Sequence, residues 1–178
     1  GRSPRYFTDW DGSFSINGGL LEQQVLEPPI RWHCTDVDPI TLVGPGYANY
    51  DVAVQARIDS INGASGQRAG NASATYVAVC ARQQKPFNGW CPSASGYCLR
   101  LYTTGDWSLL AGASAIAHGA VQADTVGWHT LRLRVSGTTI EASLDGSLLT
   151  QLQDSSFDNG PAALGSGYHY ASFAAFEM

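Results

Sequence analysis

Charge is scarce in this chain. Of its 178 residues only 14% are Asp, Glu, Lys or Arg, and the formal net charge is −5. There is no basic stripe, which argues against nucleic acid as a partner. There is no polybasic segment for an anionic membrane surface either. No apolar run reaches the roughly 20 residues that span a bilayer. The opening residues Gly1-Arg2-Ser3-Pro4-Arg5 are not a signal peptide, so the chain reads as a processed or excised piece. Amphipathic helical periodicity, internal repeats and a linker are all missing, which leaves one domain over residues 1–178. The cysteines form no C-x-x-C pair, which speaks against zinc.

What is present is strand. From Trp128 to Leu149, Leu131, Leu133 and Val135 alternate with Thr130, Arg132 and Arg134. Ser136-Gly137 turns the chain, and Ile140, Ala142 and Leu144 then alternate with Thr139, Glu141 and Ser143. Asp145-Gly146 turns it again. This is the two-residue period of an antiparallel meander with one dry and one wet face. Arg132 or Arg134 can face Glu141 across it. Tyr50–Ile58, Thr75–Gln83 and Tyr97–Thr103 carry the same signature. About a dozen short strands, with turn signals at the spacing of sandwiches, predict an all-β, two-sheet antiparallel jelly roll. Both ends of the chain are aromatic and strand-like, so the last strand is expected to pair with the first.

Cys34, Cys80, Cys91 and Cys98 are even in number and read as disulfides. The preferred pairing is a local Cys91–Cys98 bridge with Cys34–Cys80. A cross-strand Cys80–Cys98 bridge at the base of one hairpin is the alternative. Asn71-Ala72-Ser73 is a glycosylation sequon. Few lysines and many Gly, Ser, Thr and Ala suit a secreted chain.

The hairpin over residues 76–107 gathers the best candidates for binding. Arg82, Trp90, Arg100, Tyr102 and Trp107 lie on or beside it. Aromatic rings stack on the C–H faces of sugars, and arginine offers paired donors to vicinal hydroxyls or carboxylates. Parity places Tyr76, Ala78, Cys80 and Arg82 on one strand face beside Cys98, Arg100 and Tyr102 on the next. Trp10, Trp32 and Trp128 flank strand starts and are expected in the core. His33, His118, His129 and His169 lack metal-ligand spacing and are expected to be structural or solvated.

Seven motifs in order, Y-F-x-D-x-x-G-x-F, P-P-I-R-W, N-Y-D-V-A-V-Q-A-R-I, G-Y-C-L-R-L-Y, G-W-H-T-L-R-L-R-V-S-G, A-A-L-G and Y-A-S-F-A-A-F, span nearly the whole chain. Together they resemble the C-terminal lectin-like domain of galactocerebrosidases, glycoside hydrolase family 59. The hairpin motif is shared more widely with concanavalin-like and laminin-G-like jelly rolls. The resemblance implies a non-catalytic, carbohydrate-binding module in a secreted or lysosomal setting. Its ligand would be a glycan, with galactose among the candidates. It would accompany a catalytic domain of the same precursor or a glycoprotein assembly. The resemblance also implies a structural calcium ion, with Asp9 and Asp11 matching the acidic N-terminal motif. The family ends in F-D-N-F, whereas this chain has Phe173-Ala174-Ala175-Phe176, one carboxylate fewer.

Two other functions fit the fold. One is a structural or protein-interaction sandwich without a sugar site. The other is a polysaccharide lyase or glycoside hydrolase. Hydrolysis needs two carboxylates about 5–9.5 Å apart, and jelly-roll hydrolases place theirs on one strand as E-x-D-x-E. Asp51, Asp106, Glu141 and Asp145 are scattered instead, so no enzyme is expected.

Overall fold

The computed structural model describes residues 7–26, 38–60, 75–84, 95–122, 124 and 127–178. Among them the chain forms fourteen strands: β1 (Phe7–Asp11), β2 (Phe14–Asn17), β3 (Leu20–Gln23), β4 (Ile40–Tyr47), β5 (Tyr50–Ser60), β6 (Tyr76–Ala81), β7 (Tyr97–Tyr102), β8 (Asp106–Ala111), β9 (Ser114–Ala120), β10 (His129–Ser136), β11 (Thr139–Leu144), β12 (Ser147–Gln153), β13 (Gly160–Ser166) and β14 (Tyr170–Glu177). They make two seven-stranded sheets, β1-β4-β13-β6-β7-β8-β9 and β12-β11-β10-β5-β14-β3-β2. Neighbouring strands are antiparallel throughout. Among the described residues no helix is long and apolar enough to cross a membrane.

The meander folds as its alternation predicts. Leu131, Leu133 and Val135 of β10 are buried, while Arg132, Arg134 and Ser136 are exposed. Asp145 and Gly146 both take positive φ, 50° and 80°, which is the backbone of the tight turn joining β11 to β12. Glu141 stands opposite Arg134, with 3.6 Å between charged atoms. Arg132 instead holds Asp51 of β5, its Nε 2.8 and 2.9 Å from the two carboxylate oxygens. Such exposed pairs are worth about 0–1 kcal/mol each. They mark this sheet face as wet.

The main core lies between the sheets. Val52, Val54, Ala56 and Ile58 of β5 meet Val77 and Val79 of β6, Leu99 and Leu101 of β7, Leu109 of β8 and the buried side of β10. Each fully buried Leu, Val or Ile contributes on the order of 1.5–3 kcal/mol. The first sheet is different on its outer side. Every residue of β6 is buried. Tyr76, Ala78 and Cys80 join Ile40, Leu42, Cys98 and Ala163 in a second, smaller cluster on that outer face.

Three expectations change. The last strand does not pair with the first. β14 inserts between β5 and β3, and β1 is the far edge of the other sheet, beside β4. The aromatic partner of Phe173 is Phe14, with ring centres 6.3 Å apart, so the β2–β3 hairpin and not β1 receives the chain end. The preferred disulfides are also overturned. Cys80 is bonded to Cys98, because the β6–β7 register sets them directly opposite, with Cα atoms 4.1 Å apart. That excludes Cys91–Cys98 and Cys34–Cys80; Cys34 and Cys91 themselves lie outside the described residues. Finally, Trp128 is 37% exposed. Its indole lies under the Arg57 guanidinium, 4.7 Å from ring centre to carbon.

Beside Trp128, the buried His129 ring bridges two acceptors. Its Nδ1 is 2.7 Å from Asp145 Oδ2, and its Nε2 is 2.6 Å from the Asp124 carbonyl oxygen. A neutral imidazole has one N–H, so only the imidazolium can donate to both. Burial pushes the His129 pKa down, but the Asp145 carboxylate and the Asp124 carbonyl outweigh it, and the net shift is upward.

A folded-state pKa above the unfolded value of about 6.5 gives stability that is full below that value and lost as pH rises through the folded pKa. The melting temperature should therefore fall as pH is raised from about 6 to about 8. Asp145→Asn, which suits the positive φ, should remove most of that slope, as scanning calorimetry at several pH values would show. Reduction of the Cys80–Cys98 bridge, which closes 18 residues, should cost about 3 kcal/mol in urea unfolding.

Candidate binding face on the outer side of one sheet

Strand parity turns Cys98, Arg100 and Tyr102 of β7 away from the main core, alongside Tyr76, Ala78 and Cys80 of β6. In register, Arg100 stands between Ala78 and Ser108, and Tyr76 stands opposite Tyr102. The small neighbours leave the guanidinium room. It lies over the Tyr76 ring, 4.1 Å from ring centre to carbon, a cation–π contact. Asp38, just before β4, completes the group. Its Oδ2 accepts a hydrogen bond from the Tyr76 hydroxyl at 2.5 Å and lies 3.5 Å from Arg100 Nη2. The Tyr102 hydroxyl is 3.1 Å from Ser108 Oγ, and its ring centre is 5.6 Å from that of Tyr76.

The charges here are held in fixed states. Burial, and then the Asp38 carboxylate, push the Tyr76 phenol well above its ordinary range, so Tyr76 stays a neutral donor. Burial of Arg100 disfavours its charge. Tyr76 and Asp38 more than offset this, and the net shift is upward. Arg100 Nε is buried and has no partner among the described residues. The Arg100 and Asp38 side chains remain 21% and 38% exposed. The face thus offers a permanent cation, a carboxylate, two hydroxyl groups and aromatic edges.

Of the five residues expected to bind, Arg100 and Tyr102 meet here. Arg82 does not. Strand β6 ends at Ala81, and Arg82 takes a positive φ of 51°, which breaks the parity. Its side chain is turned into the end of the sandwich and the residue is only 1% exposed. The guanidinium donates to Ala48 O (Nε 2.8 Å, Nη2 2.5 Å), Phe157 O (Nη1 2.8 Å) and Gly137 O (Nη2 2.8 Å). The Arg82 amide donates to the Tyr50 hydroxyl at 2.6 Å, which donates in turn to Gly160 O at 3.0 Å. Burial pushes the Tyr50 pKa up to about 12. Gly160 is needed there, since a Cβ would come within 2.4 Å of Gln83 O. Arg82 is therefore a fastening for three loops.

Trp107 is also displaced from the expected site. It pairs with Leu101, a core residue, and so faces the inter-sheet core, 8% exposed. Trp90 and Asn71 lie outside the described residues. Sequence reasoning missed Asp38 and Ser108 as members of the group. Ser108 could have been placed by extending the register to β8. Nothing in the sequence links Asp38 to a strand 62 residues later.

Calcium takes about 6–8 oxygen ligands. Asp9 and Asp11 lie on β1 astride a register shift, and their side chains are outside the described set. Ala174, where the family carries Asp, sits opposite Gln55 in the middle of a sheet. Among the described residues no group of three or more His, Cys, Asp or Glu gathers.

Comparison with known proteins supplies a context. The family model described as "Galactocerebrosidase, C-terminal lectin domain" matches residues 11–178. No curated protein matches the chain. Among solved structures, the carbohydrate-binding module CBM66 from Bacillus subtilis superposes with a TM-score of 0.70 at 16% identity, covering 96% of this chain and 92% of that one. A Bacillus licheniformis β-glucanase gives 0.56 at 11% identity, covering 99% and 82%. The Ca²⁺-bound exoplasmic/lumenal domain of VIP36 gives 0.55 at 10% identity, covering 99% and 86%. At such identities these structures share the fold, and one fold carries both binding modules and an enzyme.

The Arg82 geometry yields a stability prediction. Arg82→Lys keeps the charge and loses the fork, leaving buried carbonyls unpaired. It should lower unfolding free energy by about 2–4 kcal/mol in urea titration.

Proposed function

Because the chain belongs to the family of galactocerebrosidase C-terminal lectin domains, we propose that its glycan is held on the outer face of β6, β7 and β8, around Arg100 and Tyr102. The domain is a carbohydrate-binding, lectin-like module. One observation supports this placement: the Arg100 guanidinium lies over Tyr76 beside Asp38, and its side chain stays 21% exposed.

We take the module to be non-catalytic. Asp38 is the only carboxylate among the described residues of the group, and hydrolysis of a glycosidic bond calls for two. Glu141, the mid-strand acid, is paired with Arg134 on the other sheet. The Cys80–Cys98 bond supports an oxidising compartment, secreted or lysosomal. Within such a compartment the module would bring a galactosidase-type enzyme, or a glycoprotein assembly, to a glycan. A galactose-containing chain is the ligand that the family's name suggests. A calcium ion is not part of this reading.

A glycan array followed by calorimetry tests it. At least one glycan should bind in the micromolar to millimolar range, and Arg100→Ala and Tyr102→Ala should each weaken it by about tenfold or more. Affinity unchanged in both variants refutes the site. No binder at millimolar concentration refutes the lectin reading and favours a protein-interaction sandwich. Release of reducing ends or unsaturated uronates from array ligands refutes the non-catalytic assignment.

A further inference from the structure

We propose that this face selects neutral sugars with neighbouring hydroxyls, and that Asp38 and Arg100 act together as a hydroxyl clamp that turns anionic glycans away. The inference rests on the site assigned above and adds its ligand class. A lone arginine would point the other way, since its planar fork matches sulfate and carboxylate groups. Here the guanidinium has a carboxylate beside it. The 3.5 Å between Asp38 Oδ2 and Arg100 Nη2 is longer than the roughly 2.7–2.9 Å of a charge-assisted hydrogen bond. Each partner therefore keeps capacity for a third group.

The third group that fits both is a hydroxyl. It accepts through its lone pairs and donates through its proton. It can take an N–H from Arg100 and give its proton to Asp38 at the same time. Tyr76, a neutral donor to Asp38 Oδ2 at 2.5 Å, anchors the carboxylate in the acceptor role. The Tyr102 and Ser108 hydroxyls, 3.1 Å from each other, offer a donor and acceptor to the next hydroxyl along a sugar ring. A sulfate, uronate or sialate has acceptors only where it meets Arg100 and must stand against Asp38. Placing like charges together is how a site refuses a competitor. Asp38 is thus assigned as a specificity residue of the same site.

The test compares neutral galactosides and mannosides with their sulfated, sialylated and uronic-acid counterparts on one array, for the unaltered protein, Asp38→Asn and Arg100→Ala. The unaltered protein should favour the neutral member of each pair. Asp38→Asn should weaken neutral binding by roughly tenfold and narrow or reverse the preference. A preference for the anionic members in the unaltered protein, or an unchanged preference in a folded Asp38→Asn, overturns the clamp and leaves the site standing. Binding that Arg100→Ala does not alter overturns the site and the clamp together. Should Asp38→Asn fail to fold, the comparison on the unaltered protein decides alone.

Discussion

The register between β6 and β7 is the constraint on which the rest depends. Once Cys80 faces Cys98, every other pair is fixed: Ala78 meets Arg100, and Tyr76 meets Tyr102. A slip of one residue would send Arg100 into the inter-sheet core and Leu99 and Leu101 out of it. The disulfide locks this register from the outer side, and Val77, Val79, Leu99 and Leu101 lock it from the inner side. The same choice that closes the core also lays out the polar and aromatic groups of the proposed binding face.

The two sheets divide the work. The sheet holding β10 and β5 is dry within and wet outside, with Arg132–Asp51 and Arg134–Glu141 pairs on solvent. Its sequence shows this division openly. The sheet holding β6 and β7 has a largely buried outer face. Groups on such a face keep fixed protonation and fixed geometry, which a recognition surface needs. Tyr76 owes its state to that burial and to Asp38, whereas Arg100 keeps its charge against burial through Tyr76 and Asp38.

Much of this was legible from residues alone. The alternation from Leu131 to Leu144 gives two strands and the turn between them, Asp145-Gly146 gives the turn into a third, and Tyr76–Arg100–Tyr102 parity gives the heart of the proposed binding face. Legibility ended where parity was carried past a strand's end. Arg82 is two residues beyond Cys80, yet a positive φ at a non-glycine residue sends it elsewhere. Trp107 failed differently, because its facing depends on the β7–β8 register and not on its own neighbours. Four cysteines allow three pairings, and only the register chooses between them. Asp38 is joined to the group by tertiary approach alone.

The Arg82 fastening has a consequence for the setting in which such a domain works. Its acceptors are the main-chain carbonyls of Ala48, Gly137 and Phe157, and amide carbonyls do not take up protons in the range where carboxylates do. An ion pair with Asp or Glu would loosen as the medium turns acid. This junction contains no member that titrates there. The Arg82 fastening itself is therefore indifferent to acidity, and a lumen that acidifies would leave its bonds to the three loops as tight as a neutral one.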